Sequence, residues 1–182
     1  MQDLNICGSV DVSMNIGVIG PTKIDIFCRL RGVSKDYFIK AVQFVAARLA
    51  ASDHTFYIVP DAGSTVAVFA KHYREYNGKK LIGLVPENDT EFGNSWLDRT
   101  LTIHIENTGT WRNTPEELVR NADVLLCFGL GLGTMIEVAY SKWFHTNKIY
   151  FIKEFVPVLP VELTHKIHCQ WVSLAEIPAL LK

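Results

Sequence analysis

The chain has 182 residues, 48% of them hydrophobic, with 18 basic and 19 acidic side chains and a formal net charge of -1. That length suits one domain with a sizeable core, and the near-neutral charge argues against nucleic acid or an anionic membrane as partner and for a small molecule. No apolar run approaches the ~20 residues of a membrane-spanning helix, and the start Met1-Gln2-Asp3-Leu4-Asn5 lacks a basic-then-apolar leader, so a soluble, unprocessed, cytoplasmic chain is expected. The four cysteines, Cys7, Cys28, Cys127 and Cys169, are widely spaced, as reduced thiols would be. His165, His168 and Cys169 lack the complementary pair that a zinc site needs, so no metal is expected.

In chain order, Asn5 to Val12 is a weak strand candidate and Asn15 to Ile19 a better one, ended by the loop Gly20-Pro21-Thr22-Lys23. Ile24 to Val33 is apolar but irregular and interrupted by Arg29 and Arg31, which reads as a long loop or a lid. Ser34 is a fair N-cap for an amphipathic helix reaching about Ala51. Thr55 to Val59 is the next strand, followed by the turn Pro60-Asp61-Ala62-Gly63-Ser64 and a helix that stops near Asn77-Gly78. Lys80 to Val85 is a third strand, Glu87 to Asp98 a polar loop, and Leu101 to Ile105 a further strand. Arg112-Asn113 then precedes Thr114-Pro115-Glu116-Glu117, which combines an N-cap Thr, Pro at the first helical position and Glu at the third. Ala122 to Phe128 is a continuous apolar run suited to a strand buried on both faces, and Lys148 to Ile152 another strand. Phe155 to His168, with Pro157 and Pro160, reads as loop and turn; Gln170 to Val172 is an edge-strand candidate, and Ser173 to Glu176 caps a closing helix. The alternation of strand and helix predicts a single α/β domain over 1–182: a Rossmann-like, doubly wound parallel sheet in three α/β/α layers.

The block Phe128-Gly129-Leu130-Gly131-Leu132-Gly133-Thr134-Met135-Ile136-Glu137 joins the central strand to a helix expected to begin near Thr134. That helix carries Met135, Ala139, Tyr140, Trp143 and Phe144 at helical spacing. Three alternating glycines permit a sharp turn and a close backbone approach, and a helix start offers free N–H groups to an anion. Thr134 and Glu137 also have the spacing of a capping box, which leaves a purely structural role open. Ligands of open parallel sheets collect at the carboxyl ends of the strands. Gly20, Pro21, Thr22 and Lys23, then Asp61, Gly63 and Ser64, then Arg112 and Asn113, then Gly129, Gly131, Leu132, Gly133 and Thr134 all fall at or near such ends. They form the candidate site with Glu137.

These residues carry a resemblance. Thr108-Gly109, Arg112-Asn113 and Arg120-Asn121-Ala122-Asp123-Val124, followed by Gly129-x-Gly131-x-Gly133-Thr134-x-x-Glu137-Val138-Ala139, resemble the signature of the SLOG superfamily, which includes the LOG proteins once labelled "possible lysine decarboxylases" and the molybdenum cofactor carrier proteins. Gly17-Val18-Ile19-Gly20-Pro21-x-Lys23 is similar to the opening strand and loop of the carrier branch. The resemblance covers about residues 15 to 153 and implies a homodimer or homotetramer that binds a small phosphorylated ligand, a nucleotide or the molybdenum cofactor, near the glycine loops. The hydrolase pattern Pro-Gly-Gly-x-Gly-Thr is altered here, with Gly129 and Leu130 in its first two positions and Asp61 in a turn that is glycine-rich in the LOG proteins. A binding or carrier protein is therefore the first expectation. The alternative is a LOG-type phosphoribohydrolase that cleaves the N-glycosidic bond of a nucleoside 5′-monophosphate. By that analogy Glu137 would stabilise the developing positive charge and Arg112 would hold the phosphate. A domain that serves only assembly, its site degenerate, is the third reading.

Overall fold

The computed structural model describes residues 13–144, 146 and 148–181. Its frame is a sheet of seven strands, β1 (Asn15–Ile19), β2 (Thr55–Ile58), β3 (Leu81–Val85), β4 (His104–Asn107), β5 (Val124–Cys127), β6 (Lys148–Ile152) and β7 (Cys169–Val172). Every pairing is parallel, in the order β4-β3-β2-β1-β5-β6-β7. Helices α1 (Ile24–Arg31), α2 (Lys35–Leu49), α3 (Thr65–Glu75), α4 (Thr114–Asn121) and α5 (Leu132–Tyr140), with the short α6 (Val161–Thr164) and α7 (Ile177–Leu180), make the outer layers of a Rossmann-like α/β/α fold.

The apolar runs become strands because helices cover both faces of the sheet. All four residues of β5 are buried, as are Ile16, Val18 and Ile19 of β1. The chain builds outward from β1 through β4, then crosses back to lay β5 on the other side of β1. The switch point of strand order therefore lies between β1 and β5. Their register pairs Ile19 with Cys127, so the two central strands end side by side and their loops emerge together.

Several boundaries differ from the sequence expectation. Ile24 to Val33 is neither loop nor lid: Ile24, Phe27 and Cys28 fall at helical spacing and are buried, while Arg29 and Arg31 occupy the last turn of α1. Gly32, at φ 65°, ends that helix, and Val33 N–H donates to the Cys28 carbonyl at 2.9 Å. The fourth strand runs His104–Asn107 because Asp98, accepting from Thr100 N–H, starts a 3-10 turn at Arg99–Leu101 that takes in Leu101 and ends with Thr102 as its C-cap. Helix α4 is capped at Asn113, which puts Thr114 inside it; its hydroxyl is engaged with Thr108 and the Thr110 carbonyl instead. Part of the expected loop after Phe155 is the single turn of α6. The closing helix starts at Ile177, with Glu176 accepting from Ser173. The strand expected at Asn5 to Val12 lies outside the described residues.

His54, just before β2, is buried and ties the two ends of the described chain together. Its Nδ1 accepts from Met14 N–H at 3.1 Å, which leaves Nε2 to donate to the Leu181 carbonyl at 3.1 Å. The ring is thereby fixed as the neutral Nε2–H tautomer. His54→Ala strands both backbone groups, and urea unfolding should show a loss of about 2–4 kcal/mol.

Candidate functional site

The β1–α1 loop is held by two threonines from different helices. Thr65, at the start of α3, donates to the Pro21 carbonyl through Oγ1 at 2.8 Å and through its N–H at 3.2 Å. Thr134, in the first turn of α5, donates to the adjacent Gly20 carbonyl at 3.2 Å. Gly20 packs so tightly on Thr65 that a Cβ there would sit 2.8 Å from Thr65 Cγ2. The glycine is required by this close approach, and the loop is clamped between the two helices.

Above the clamp opens a cavity of about 610 Å³, within the usual range of small-molecule sites. Its floor is the end of β1 with Gly20, Pro21 and Thr22; one wall is α1, through Ile26, Phe27, Leu30 and Arg31; another is the start of α5, from Leu130 to Thr134. Val59, Asp61, Ser64 and Val66 come from the β2–α3 connection, and Trp111, Thr114 and Pro115 from the start of α4. The Trp111 ring is stacked on Trp96, 5.4 Å between centroids and 5° from parallel, and its Nε1–H donates to the Gly93 carbonyl at 2.6 Å. That pair gives the cavity one rigid flat aromatic side.

The helix starts around this space share a property. Lys23, Asn113 and Gly131 stand as N-caps of α1, α4 and α5, and none of them makes a side-chain capping bond. By contrast Ser64 caps α3, accepting from Ala67 N–H at 3.2 Å. The first N–H groups of an α-helix have no partner within it and carry the positive end of its dipole. Lys23 and Arg31 add side-chain charge to the wall, and among the described residues neither is in an ion pair.

Two carboxyl groups face these cations. Burial pushes Glu137 up to about 8, and among the described residues its side chain makes no hydrogen bond. Burial also raises Asp61, opposed by a hydrogen bond from Thr22. Near neutral pH Glu137 thus holds a proton and does not repel an anion. Its partner Thr134 is spent on Gly20, and the helix begins at Leu132 with Gly131 as N-cap, so the capping-box arrangement is not formed. Among the described residues no three metal-ligating side chains converge, and Cys28, Cys127 and Cys169 are free thiols.

Gly20, Pro21, Thr22, Lys23, Asp61, Ser64, Gly131, Leu132, Gly133, Thr134 and Glu137 are brought together on the cavity wall. Arg112 and Asn113 are not: Arg112 Nη2 is 2.8 Å from Glu91 Oε2 on the surface, and Asn113 Nδ2 donates to the Thr108 carbonyl at 3.3 Å. Gly63 has φ 73° and serves the turn, and Gly129 lies beneath the wall, where a Cβ would meet the Phe27 ring at 2.6 Å. Sequence reasoning missed the α1 wall, Arg31 above all, because reading Ile24 to Val33 as loop hid its helical phase. Trp111, next to the residues singled out, was passed over as well.

No family model and no curated protein sequence matches the chain. Solved structures do. The molybdenum cofactor carrier protein of Chlamydomonas reinhardtii is similar with a TM-score of 0.69 at 18% identity, over 93% of this chain and 96% of that one. The molybdenum cofactor binding protein of the phototrophic bacterium Rippkaea orientalis gives 0.65 at 16%, over 93% and 96%. DNA processing protein A of Helicobacter pylori gives 0.59 at 12%, over 94% and 81%. What these chains share with this one is the fold, and it is the fold that the carrier-like motif implied.

The glycines separate by position. Gly129→Ala drives a methyl into Phe27 and Pro21 and should cost about 1–3 kcal/mol in thermal unfolding. Gly133→Ala, in the first turn of α5 with nothing within 4 Å of the added carbon, should be neutral or stabilising by up to ~1 kcal/mol.

Glu137 gives a pH signature. An unfolded glutamate loses its proton near ~4.3, whereas the folded chain keeps it to about 8. The native state therefore binds the extra proton between those values, and stability falls as pH rises through that window. Glu137→Gln abolishes this contribution, so its melting temperature should gain on wild type from roughly pH 5 to about pH 8 and level off above that. Parallel melting curves across that range would contradict the assignment.

Proposed function

We propose that the chain binds or carries a small phosphate-bearing ligand, nucleotide-like or pterin-cofactor-like, in the cavity at the carboxyl edge of the sheet. The observation that carries this reading is the meeting of uncapped helix starts, at Lys23 and at Gly131, in one cavity whose wall also holds Lys23 and Arg31. Backbone N–H groups, helix dipoles and two cations together suit a phosphate dianion. The remaining wall is apolar, with the flat Trp111 face, and suits a heterocycle attached to that phosphate. The naming of two solved neighbours as molybdenum cofactor carrier or binding proteins supports the carrier side of the reading. The residues present fit such a group by charge and shape: the phosphate would lie at Gly131 to Thr134, and the ring system along α1 and Trp111. The chain's own part is to hold the phosphate and shield the ring from water.

A second reading rests on Glu137. A carboxyl group that keeps its proton to about 8 beside a bound ribose is placed to hand that proton to a departing base, as a phosphoribohydrolase would need. The two readings separate by chromatography of nucleoside monophosphates incubated with wild type: a carrier releases no free base, and a hydrolase releases base that Glu137→Gln abolishes.

For the site itself, calorimetry should find that Arg31→Ala weakens a nucleoside monophosphate or pterin phosphate by about tenfold or more, while the matching unphosphorylated compound is little changed. Arg112→Ala, removing a side chain already occupied by Glu91, should matter less. Equal losses for phosphorylated and unphosphorylated compounds would make Arg31 a packing residue.

A further inference from the structure

The turn that carries Asp61 is held together without its carboxyl group. Ser64 N–H donates to the Asp61 carbonyl at 3.2 Å, Ala62 N–H to the Trp96 carbonyl at 3.2 Å and Thr65 N–H to the Pro21 carbonyl at 3.2 Å. Asp61 also pairs with Leu97 in an isolated antiparallel bridge, and Asp98 N–H donates to the Pro60 carbonyl at 2.8 Å. The backbone under the carboxyl group is thus fixed on two sides. The group itself meets the Thr22 hydroxyl and, among the described residues, neither a cation nor a backbone N–H. A carboxylate has about four acceptor positions, so most of the capacity of this one is unspent on the wall of the cavity.

Its place along the sheet edge decides what it can meet. On this side of the sheet the strands run β5, β1, β2, β3, β4, with neighbours about 4.8 Å apart. The loops therefore reach the cavity in the order Gly131 to Thr134 after β5, Gly20 to Lys23 after β1, Asp61 after β2 and Trp111 after β4. Asp61 stands about two strand spacings, ~10 Å, from the start of α5, and its turn is tied to Trp96, the ring stacked on Trp111. It lies between the helix start that suits a phosphate and the flat face that suits a ring.

We propose that Asp61 accepts hydrogen bonds from the vicinal hydroxyls of a ribose, so that the cavity selects a ribonucleoside 5′-phosphate over a deoxyribonucleotide or a phosphorylated heterocycle without a diol. This rests on the phosphate-binding reading above. In such a ligand the sugar separates phosphate from base, which is the order in which the wall presents helix start, carboxylate and aromatic face. An ionised carboxylate only accepts, so it matches two adjacent O–H donors and repels a ring nitrogen or carbonyl set in the same place. Acidic side chains meet ribose hydroxyls in this way in dinucleotide-binding sheets. Glu137 does not duplicate the role, because a carboxyl group that keeps its proton has a donor to place.

Calorimetry of AMP, GMP, CMP and UMP against their 2′-deoxy counterparts, and of the matching nucleosides, tests the assignment. The ribonucleotide that wild type prefers should bind about tenfold or more tightly than its deoxy form. In Asp61→Ala that preference should vanish; in Asp61→Asn, which keeps the shape and one acceptor oxygen, it should shrink. A packing role for Asp61 weakens both members of a pair alike and leaves their ratio unmoved. Ribo and deoxy forms bound equally by wild type, or a preference that survives Asp61→Ala, overturn the inference while the phosphate reading stands. Ribonucleosides that bind as tightly as their monophosphates, and more tightly than deoxyribonucleosides, uphold Asp61 and overturn the phosphate reading instead. A chain that takes no nucleoside and no nucleotide overturns the inference, whether or not a pterin phosphate binds.

Discussion

The hydroxyls of Thr65 and Thr134 grip neighbouring carbonyls, Pro21 and Gly20, and this double clamp sets the geometry of the site. Each threonine belongs to the first turn of a different helix, so the clamp joins α3, the β1–α1 loop and α5 in one rigid unit at the switch point of the sheet. Gly20 is small because Thr65 presses against it. Buried hydroxyls that meet a carbonyl contribute on the order of 1 kcal/mol each; their larger effect here is positional. They aim the starts of α1 and α5 at the same volume.

The consequence is electrostatic. A strand-end crevice in a parallel sheet is surrounded by helix starts, and most proteins satisfy such starts with side-chain caps. This chain does so at α3, through Ser64, and leaves α1, α4 and α5 without them. At α4 the Thr114 N–H is taken by the Thr110 carbonyl and Pro115 has none to offer, so the free N–H groups of α1 and α5, with Lys23 and Arg31, define an anion-attracting end, while Glu137 is kept neutral by the same apolar surroundings that form the rest of the wall. Under the proposed function, one environment both offers these groups to an anion and keeps the carboxyl group of Glu137 from repelling it.

Much of the fold was legible in the sequence, because strands buried on both faces read as unbroken apolar runs and β1, β2, β3, β5 and β6 all have that form. What was hidden had local causes. Arg29 and Arg31 obscured the helical phase of α1, although Ile24, Phe27 and Cys28 already carried it. The 3-10 turn after Asp98 displaced β4 by a side-chain-to-backbone bond that periodicity does not register. The glycine loop and Glu137 could be placed in the cavity from strand-end logic alone. Arg112 could not be placed, because its partner Glu91 lies 21 residues away in an irregular loop.

The proposed phosphate cradle is made of the backbone N–H groups at the starts of α1 and α5. The direct measurement is the amide nitrogen–proton spectrum of the labelled protein during titration with a nucleoside monophosphate and, separately, a pterin phosphate. The largest saturable shifts should fall at Leu132, Gly133 and Thr134 and at Ile24 and Asp25, and should be absent with the unphosphorylated compounds. Shifts confined to a different surface, such as the groove of Lys40, Phe44 and Arg48 between α2 and α3, would contradict it.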